Sequence, residues 1–278
     1  MTLLTWRRTV SIAVAATITA IQPAVAQQQP GQVQQRPSGN TCAALPTHQE
    51  LTRILSDVVS PGDPEANGGL GNPMWAVTVD RGGKICVVTR SGQSVDEQWL
   101  GSRAIAASKA YTANAFSLEG FALSTANLYW PTQPENSLYG SSNANPIDVS
   151  ALYDGEASSW GTPDDPLVGQ RIGGTIAFGG GLALYSEDGS IVGALGVSGD
   201  ESCTDHVIAW RMRHGLNLDN IPDGVAEGGT DNIIHDLTTD PASGQEKSSS
   251  GYGHPKCSPR AEVIAEGFSE TAPVGPEQ

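Results

Sequence analysis

The spacing of apolar residues predicts alternating helices and strands in the first half of the chain. Apolar side chains at helical spacing follow Thr47, which has Glu50 at the capping-box distance, and this helix should end before Pro61. Apolar and polar residues then alternate over 75–79, and a second strand is predicted over 84–89. The glycine-rich sequence between these strands is typical of a turn, so the two should form a hairpin.

The second half continues this pattern after a long polar interruption. A helix is predicted over 99–116, and its small residues would let it pack closely onto a sheet. Further short strands are predicted over 173–178, 182–185 and 191–197. Asp188-Gly189 fits a hairpin turn between the last two strands, and a final helix is predicted over 203–214.

Changes in composition along the chain indicate a linker, a folded domain and a polar tail. Residues 27–41 are rich in Gln, Pro and Gly and are predicted to form a disordered linker ahead of a folded domain at 42–215. The polar stretch 128–169 inside this domain is either a functional loop or an insertion that covers a neighbour. Residues 216–278, here called the C-terminal tail, are polar and indicate little core.

The first 26 residues have the features of a secretory signal peptide. Arg7 and Arg8 precede a mostly apolar run over 9–21, and Ala24-Val25-Ala26 has the small-x-small form of a cleavage site. Because the apolar run is short for a membrane span, a cleaved signal is favoured over an uncleaved anchor. Both Sec and twin-arginine export stay open. We therefore expect a periplasmic or secreted protein without stable membrane insertion.

The charge excludes some partners. The chain carries a net charge of −15, which should repel nucleic acid and anionic membranes. A basic protein partner or a cation is compatible with this charge, but the charge does not identify one.

Four cysteines predict two disulfides in an oxidising compartment. Four cysteines allow three pairings, and no CxxC spacing suggests a zinc ribbon or a thioredoxin-type site. The pairing Cys203–Cys257 is our first choice because it would tether the tail to the last helix, which leaves Cys42 to pair with Cys86.

Familiar catalytic motifs are missing from the sequence. Residues 196–200 read Gly-Val-Ser-Gly-Asp and therefore do not match the hydrolase pattern G-x-S-x-G. The glycine triplet Gly179-Gly180-Gly181 is not followed by the Gly-Lys-Ser/Thr of a P-loop. The triplet has two interpretations. It is either a turn or bulge before a strand, or a place where backbone approaches a flat ligand or a neighbouring subunit.

The order of the sequence motifs resembles the GlcG/HbpS-type haem-binding family, which includes PduO C-terminal-like domains. The resemblance spans about 75–213 and rests on these blocks: Asp80-Arg81-Gly82-Gly83-Lys84, Lys109-Ala110, the glycine triplet, Asp188-Gly189 and Gly196-Val197-Ser198-Gly199. It implies a single α/β (α+β) domain of profilin-like architecture, with a central antiparallel sheet flanked by helices. It also implies homo-oligomers, and haem or a related tetrapyrrole as a ligand in some members.

This resemblance gives several residues a candidate role. His206 is either a capping or partly buried histidine, or the axial ligand of haem iron. Lys109 and Arg90 are either solvated or partners of a haem propionate, and Gly179 and Gly180 are candidate cofactor-binding positions. Other candidates are Arg211 and Arg213 for a propionate, and Tyr111, Tyr129 and Tyr139 for iron.

The function expected from these features is an exported haem-binding protein that sequesters, delivers or senses haem. The alternative is a periplasmic structural or interaction module without a small-molecule ligand. No catalytic residues are predicted, although haem degradation stays open.

Overall fold

The computed structural model describes residues 41–275 of the chain. The expected signal peptide and the expected linker, apart from Thr41, therefore lie outside the described residues. Within the described part of the chain, no helix is long and apolar enough to cross a membrane.

A four-stranded antiparallel sheet forms the centre of the fold. Its strands are β1 (Trp75–Asp80), β2 (Ile85–Arg90), β3 (Gly181–Tyr185) and β4 (Ile191–Ser198). Their order across the sheet is β2-β1-β4-β3, with every neighbouring pair antiparallel. A separate two-stranded ribbon in the tail consists of β5 (Leu237–Thr239) and β6 (Glu246–Ser248).

Helices cover both faces of the sheet, as the family resemblance implies. They are α1 (His48–Val58), α2 (Pro64–Asn67), α3 (Ser102–Phe116), α4 (Ser141–Ala144), α5 (Val149–Leu152), α6 (Ser202–Gly215), α7 (Pro259–Glu266) and α8 (Phe268–Thr271). Helix α3 packs against one face of the sheet. Its buried alanines form a hydrophobic cluster there with Trp75, Val77 and Val79 of β1. Helices α1 and α6 pack against the other face, around Leu195 and Val197.

Local sequence signals account for several boundaries. Thr47 caps α1 and forms the reciprocal capping box with Glu50. In the β1–β2 turn, Gly83 adopts a φ of 73°, and the carboxylate of Asp80 accepts a hydrogen bond from the Lys84 amide at 2.9 Å. These short-range contacts explain why the turn and the start of α1 are predictable from sequence.

The predicted strand over 173–178 is wrong. Gly173 and Gly174 have φ angles of 66° and 87°, which a regular strand does not accommodate. The amide of Ile176 donates instead to the side chain of Thr112 on α3, at 3.0 Å. This segment is therefore an irregular connection that leads into β3.

The polar insertion at 128–169 packs against α3. Leu152 and Leu167 are buried in the same hydrophobic cluster as the alanines of α3. Arg103 of α3 forms a buried ion pair with Asp165, in which the Arg103 Nε and the Asp165 Oδ2 lie 3.0 Å apart. The insertion thus covers a face of this chain's own sheet-and-helix layer.

The C-terminal tail contributes more to the core than its polar composition indicates. Ile233, Ala261, Ala265 and Phe268 are buried in the cluster that contains α6. These residues lie in short segments without a long apolar period, so the sequence pattern gives little sign of them.

Two disulfides are present, in the pairing favoured from the sequence. Cys42 bonds to Cys86, and Cys203 bonds to Cys257. The second bond joins the start of α6 to a tail segment 54 residues further along the chain. It should stabilise the docked tail by about 4 kcal/mol through loop closure in the chain-entropy model.

We predict that Gly196→Ala strongly destabilises the fold, because β4 touches α3 backbone at this position. A Cβ at Gly196 would lie 2.0 Å from the Ala106 carbonyl oxygen and 2.5 Å from the Ala110 amide nitrogen. The helix must move away, so the free energy of unfolding should fall by about 3 kcal/mol in denaturant titration. Gly120→Ala is the control, since its Cβ would meet no atom within 4 Å. Equal stability of the two variants would contradict this packing.

Candidate functional site

The glycine triplet lies where α3, β4 and α6 come together. A Cβ on Gly180 would lie 2.5 Å from the Val197 carbonyl oxygen and 2.9 Å from the Lys109 Nζ. A Cβ on Gly179 would lie 2.3 Å from the carbonyl oxygen of Ser202 on α6. Gly180 also has a φ of 117°. Both glycines are therefore required by the close approach of the chain to its own helices.

Lys109 is fully buried and paired with Asp205. Its Nζ lies 2.6 Å from the Asp205 Oδ2, 3.2 Å from the Val197 carbonyl oxygen and 4.9 Å from the centre of the Phe178 ring. Burial lowers the pKa of Lys109, and it raises the pKa of Asp205 to about 6 against the opposing charge of the lysine. Lys109 is thus not a solvated lysine, and its charge already has a partner.

His206 lies on α6 and is completely buried. Its Nε2 lies 3.2 Å from the Ile233 amide nitrogen and 3.3 Å from the Asn232 Oδ1, so the tail covers this edge of the ring. Its Nδ1 has no hydrogen-bond partner among the described residues. Burial, followed by the charge of Arg213, lowers the pKa of His206 well below its usual value. The imidazole is therefore neutral at neutral pH.

Two tail histidines extend this cluster. The His254 Nε2 accepts a hydrogen bond from the Gly179 amide at 3.2 Å, and its Nδ1 donates to the Pro255 carbonyl oxygen at 2.7 Å. Burial lowers the pKa of His254 to about 4 and also lowers that of His235. The His235 Nε2 is buried and has no partner within residues 41–275. The sequence gives no spacing signal for either residue, because their proximity depends on how the tail folds back.

A cavity of about 680 Å³ lies beside this histidine cluster. Its apolar wall includes Ile233 and the parallel rings of Trp210 and Phe268, whose centres are 5.1 Å apart. His235 also lines it, as do the acidic side chains of Glu227, Asp236 and Glu266. The rings of His206 and Trp210 have centres 6.0 Å apart, so His206 lies one layer behind the cavity wall.

The other predicted cations have partners elsewhere. Arg90 donates to the carbonyl oxygens of Trp160 and Gly92, at 3.1 and 2.6 Å. Arg213 forms a buried ion pair with Asp231, with two nitrogen–oxygen distances of 2.8 and 2.7 Å. Arg211 donates to Asn67 and to the carbonyl oxygen of Ala66. None of these contacts joins Arg90 to Lys109 or His206.

Of the three candidate tyrosines, Tyr129 lies next to the histidine cluster. Its ring centre is 5.5 Å from that of His254. Burial raises the pKa of Tyr129, which opposes formation of the phenolate that would bind iron. Tyr111 packs against Gly83, and Tyr139 is largely exposed.

Comparison with known proteins identifies the family. A family model described as "Haem degrading protein HbpS-like" matches residues 64–212, which is more than half of the chain. The chain belongs to the HbpS-like family. The match includes β1 to β4 and nearly all of α6. The tail, with His235, His254 and Cys257, lies beyond the region that the HbpS-like model matches.

Solved structures similar to this HbpS-like chain include a PduOC–haem complex and the Klebsiella pneumoniae protein ORFY. The first is 25% identical, with a TM-score of 0.41, and the match covers 61% of this chain and 91% of that one. The second is 22% identical, with a TM-score of 0.42, and the match covers 66% of this chain and 94% of that one. No curated protein matches the chain significantly.

We predict that Lys109→Met destabilises the protein by about 3–5 kcal/mol, because it leaves the buried carboxylate of Asp205 without its cation. Adding Asp205→Asn should restore part of the loss, since an amide oxygen still accepts from the Asp200 amide. Chemical unfolding measures both variants. Arg53→Met, which breaks the exposed pair with Asp57, is the matched control and should change stability by less than about 1 kcal/mol.

We also predict that acid destabilises the docked tail. The pKa of His254 is about 4 in the fold and 6.5 as a free side chain. As the pH falls, the unfolded chain therefore takes up a proton on this histidine before the folded chain does. The free energy of unfolding should decrease by about 3 kcal/mol between pH 6.5 and pH 4. Asp205 acts in the opposite direction, because its raised pKa favours protonation of the folded state.

A comparison of the wild type with His254→Gln separates the two contributions. Urea unfolding across this pH range should show a shallower acid loss in the variant, because the glutamine does not titrate. An identical pH dependence in the two proteins would rule out His254 as the source.

Proposed function

We propose that this HbpS-like protein binds haem, with the imidazole of His206 as the ligand of the iron. Membership of a family described as haem-degrading supports this proposal. The observation that carries it is a buried, neutral imidazole one layer behind a cavity of about 680 Å³. Cavities that hold cofactors and drug-sized ligands usually lie between about 300 and 1,000 Å³.

The residues of the cluster fit such a ligand. Haem iron is held by neutral imidazole, and the lowered pKa keeps His206 in that form. The unpartnered Nδ1 of His206 is an orphaned buried polar atom, and the cavity has the aromatic wall that a flat macrocycle requires. For iron to reach the Nε2 instead, Asn232 and Ile233 would have to move aside.

The partner of the propionates belongs to the same proposal. The cavity is lined by carboxylates rather than by Lys or Arg, so the propionates would need a cation from outside the cavity wall. Lys109 would serve as their partner by exchanging Asp205 for a propionate. Arg90 would do so after releasing the carbonyl oxygens of Trp160 and Gly92. Gly179 and Gly180 would contribute backbone contacts to the ligand beside Lys109.

We further propose that the protein is exported and acts in haem sequestration, delivery or sensing as a homo-oligomer in the periplasm or outside the cell. The signal-like features of residues 1–26 and the two disulfides support an oxidising compartment.

Haem titration of the mature protein tests the proposal. We expect a shifted Soret band and saturable binding, and His206→Ala should shift the band further and weaken binding more than about tenfold, or 1.4 kcal/mol. The matched control is His48→Gln. His48 is the first residue of α1, its Nε2 contacts the Gly161 carbonyl oxygen, and it is not part of the histidine cluster. The absence of a Soret shift in the wild type would refute haem binding. If the wild type binds haem and His206→Ala gives the same haem spectrum as the wild type, His206 is not the ligand.

A further inference from the structure

The disulfide of the tail is flanked by two imidazoles that haem binding through His206 does not use. Cys203, His235 and His254 each place one potential ligand atom within 4.8 Å of the others. The Sγ of Cys203 lies 4.0 Å from the Nδ1 of His254 and is bonded to the Sγ of Cys257. We call these four residues the tail tetrad. Its members come from α6 and from two separate segments of the tail.

The ligand types of the tail tetrad match those of a tetrahedral metal site, and three of its ligand atoms, from Cys203, His235 and His254, lie within 4.8 Å of one another. Two cysteine sulfurs and two imidazole nitrogens form a common donor set for zinc. Zinc–sulfur and zinc–nitrogen bonds of about 2.3 and 2.0 Å place neighbouring ligand atoms about 3.6 Å apart. The separation of 4.0 Å between the Cys203 Sγ and the His254 Nδ1 is close to this value. What prevents coordination in the oxidised protein is the bond between the two sulfurs.

His235 provides an independent observation. Its Nδ1 lies 3.4 Å from the His254 carbonyl oxygen, which accepts the ring proton and leaves the lone pair on the Nε2. That Nε2 is buried and has no partner among the residues that the structure describes. An imidazole with one nitrogen bonded to a carbonyl oxygen and the other left unpartnered has the arrangement of a metal-ligating histidine.

We propose that reduction of the Cys203–Cys257 disulfide converts the tail tetrad into a Cys₂His₂ site for a divalent metal of the zinc type. A dithiol reductant supplies two electrons and two protons, so the sulfur–sulfur bond breaks, two thiols form, and the reductant becomes a disulfide. The metal then replaces the two thiol protons, which pass to water. A disulfide oxidant reverses the sequence: it takes up two electrons from the thiolates and two protons from water, the sulfur–sulfur bond re-forms, and the metal is released.

Metal binding in the tail tetrad has a consequence at the glycine triplet. The Nδ1 of His254 now donates to the Pro255 carbonyl oxygen, and its Nε2 accepts from the Gly179 amide. Coordination through the Nδ1 requires the proton to move to the Nε2, which ends the hydrogen bond with Gly179. The Gly179 amide should therefore exchange with solvent faster in the metal-bound form than in the oxidised form.

Cobalt(II) titration is the direct test, because its spectrum distinguishes tetrahedral thiolate coordination from coordination by oxygen. The experiment uses mature protein with Cys42→Ser and Cys86→Ser, so that all thiols belong to the tail tetrad. After reduction with a phosphine, we expect one cobalt per chain, with thiolate charge-transfer and tetrahedral d–d bands that zinc abolishes. The oxidised protein should show neither band.

Variants assign the bands to these residues. Cys257→Ser and His235→Ala should each weaken cobalt affinity more than tenfold and alter the bands, whereas His214→Ala, outside the tail tetrad, should leave both unchanged. Circular dichroism of the oxidised His235→Ala protein shows whether the fold survives, and Gly179 amide exchange gives a second readout in the unsubstituted protein. Equal cobalt binding before and after reduction, octahedral bands in the reduced protein, or bands unaffected by His235→Ala would overturn the proposal.

Discussion

A lysine and an aspartate that are both removed from water connect the two helical layers of this fold. Lys109 comes from α3 on one face of the sheet, and Asp205 comes from α6 on the other. Their contact exists because Gly180 has no side chain between them. Either charge alone would be expensive at this depth, so each residue requires the other. The pair thus helps to hold α6, which carries His206, in its position.

The same need for partners explains why a polar tail can form core. Arg213 and Asp231 form a buried ion pair through two nitrogen–oxygen contacts, which ties the tail to α6. His254 accepts a hydrogen bond from the Gly179 amide. This amide is buried just before β3 and would otherwise have no partner. The tail therefore supplies hydrogen-bonding groups to the domain as well as apolar side chains. This is a reason to regard the domain and the tail as one folded unit.

Sequence reasoning succeeds here where the determining contacts are short in range. The capping box at Thr47 and the hairpin turn at Gly83 involve residues only a few positions apart, and both are predictable. The disulfide partner of Cys203 follows from a topological argument about the tail. The strand expected over 173–178 fails because two glycines adopt positive φ angles that no apolar pattern reveals. The approach of His235 and His254 to α6 depends on a long return of the chain, which residue spacing does not encode.

The two anchors of the tail determine how a ligand would reach His206. Asp231 is held by Arg213, and Cys257 is bonded to Cys203, so both ends of the covering segment are fixed near α6. The stretch between these anchors includes the Ile233 amide that faces the imidazole. Each hydrogen bond broken there costs about 1–3 kcal/mol if the buried group finds no new partner. If iron bound at the Nε2 rather than at the unpartnered Nδ1, it would itself replace the amide as the partner of the Nε2, which would offset part of that cost. Affinity through the Nε2 would thus be governed by the docking of a short tail segment as much as by the imidazole.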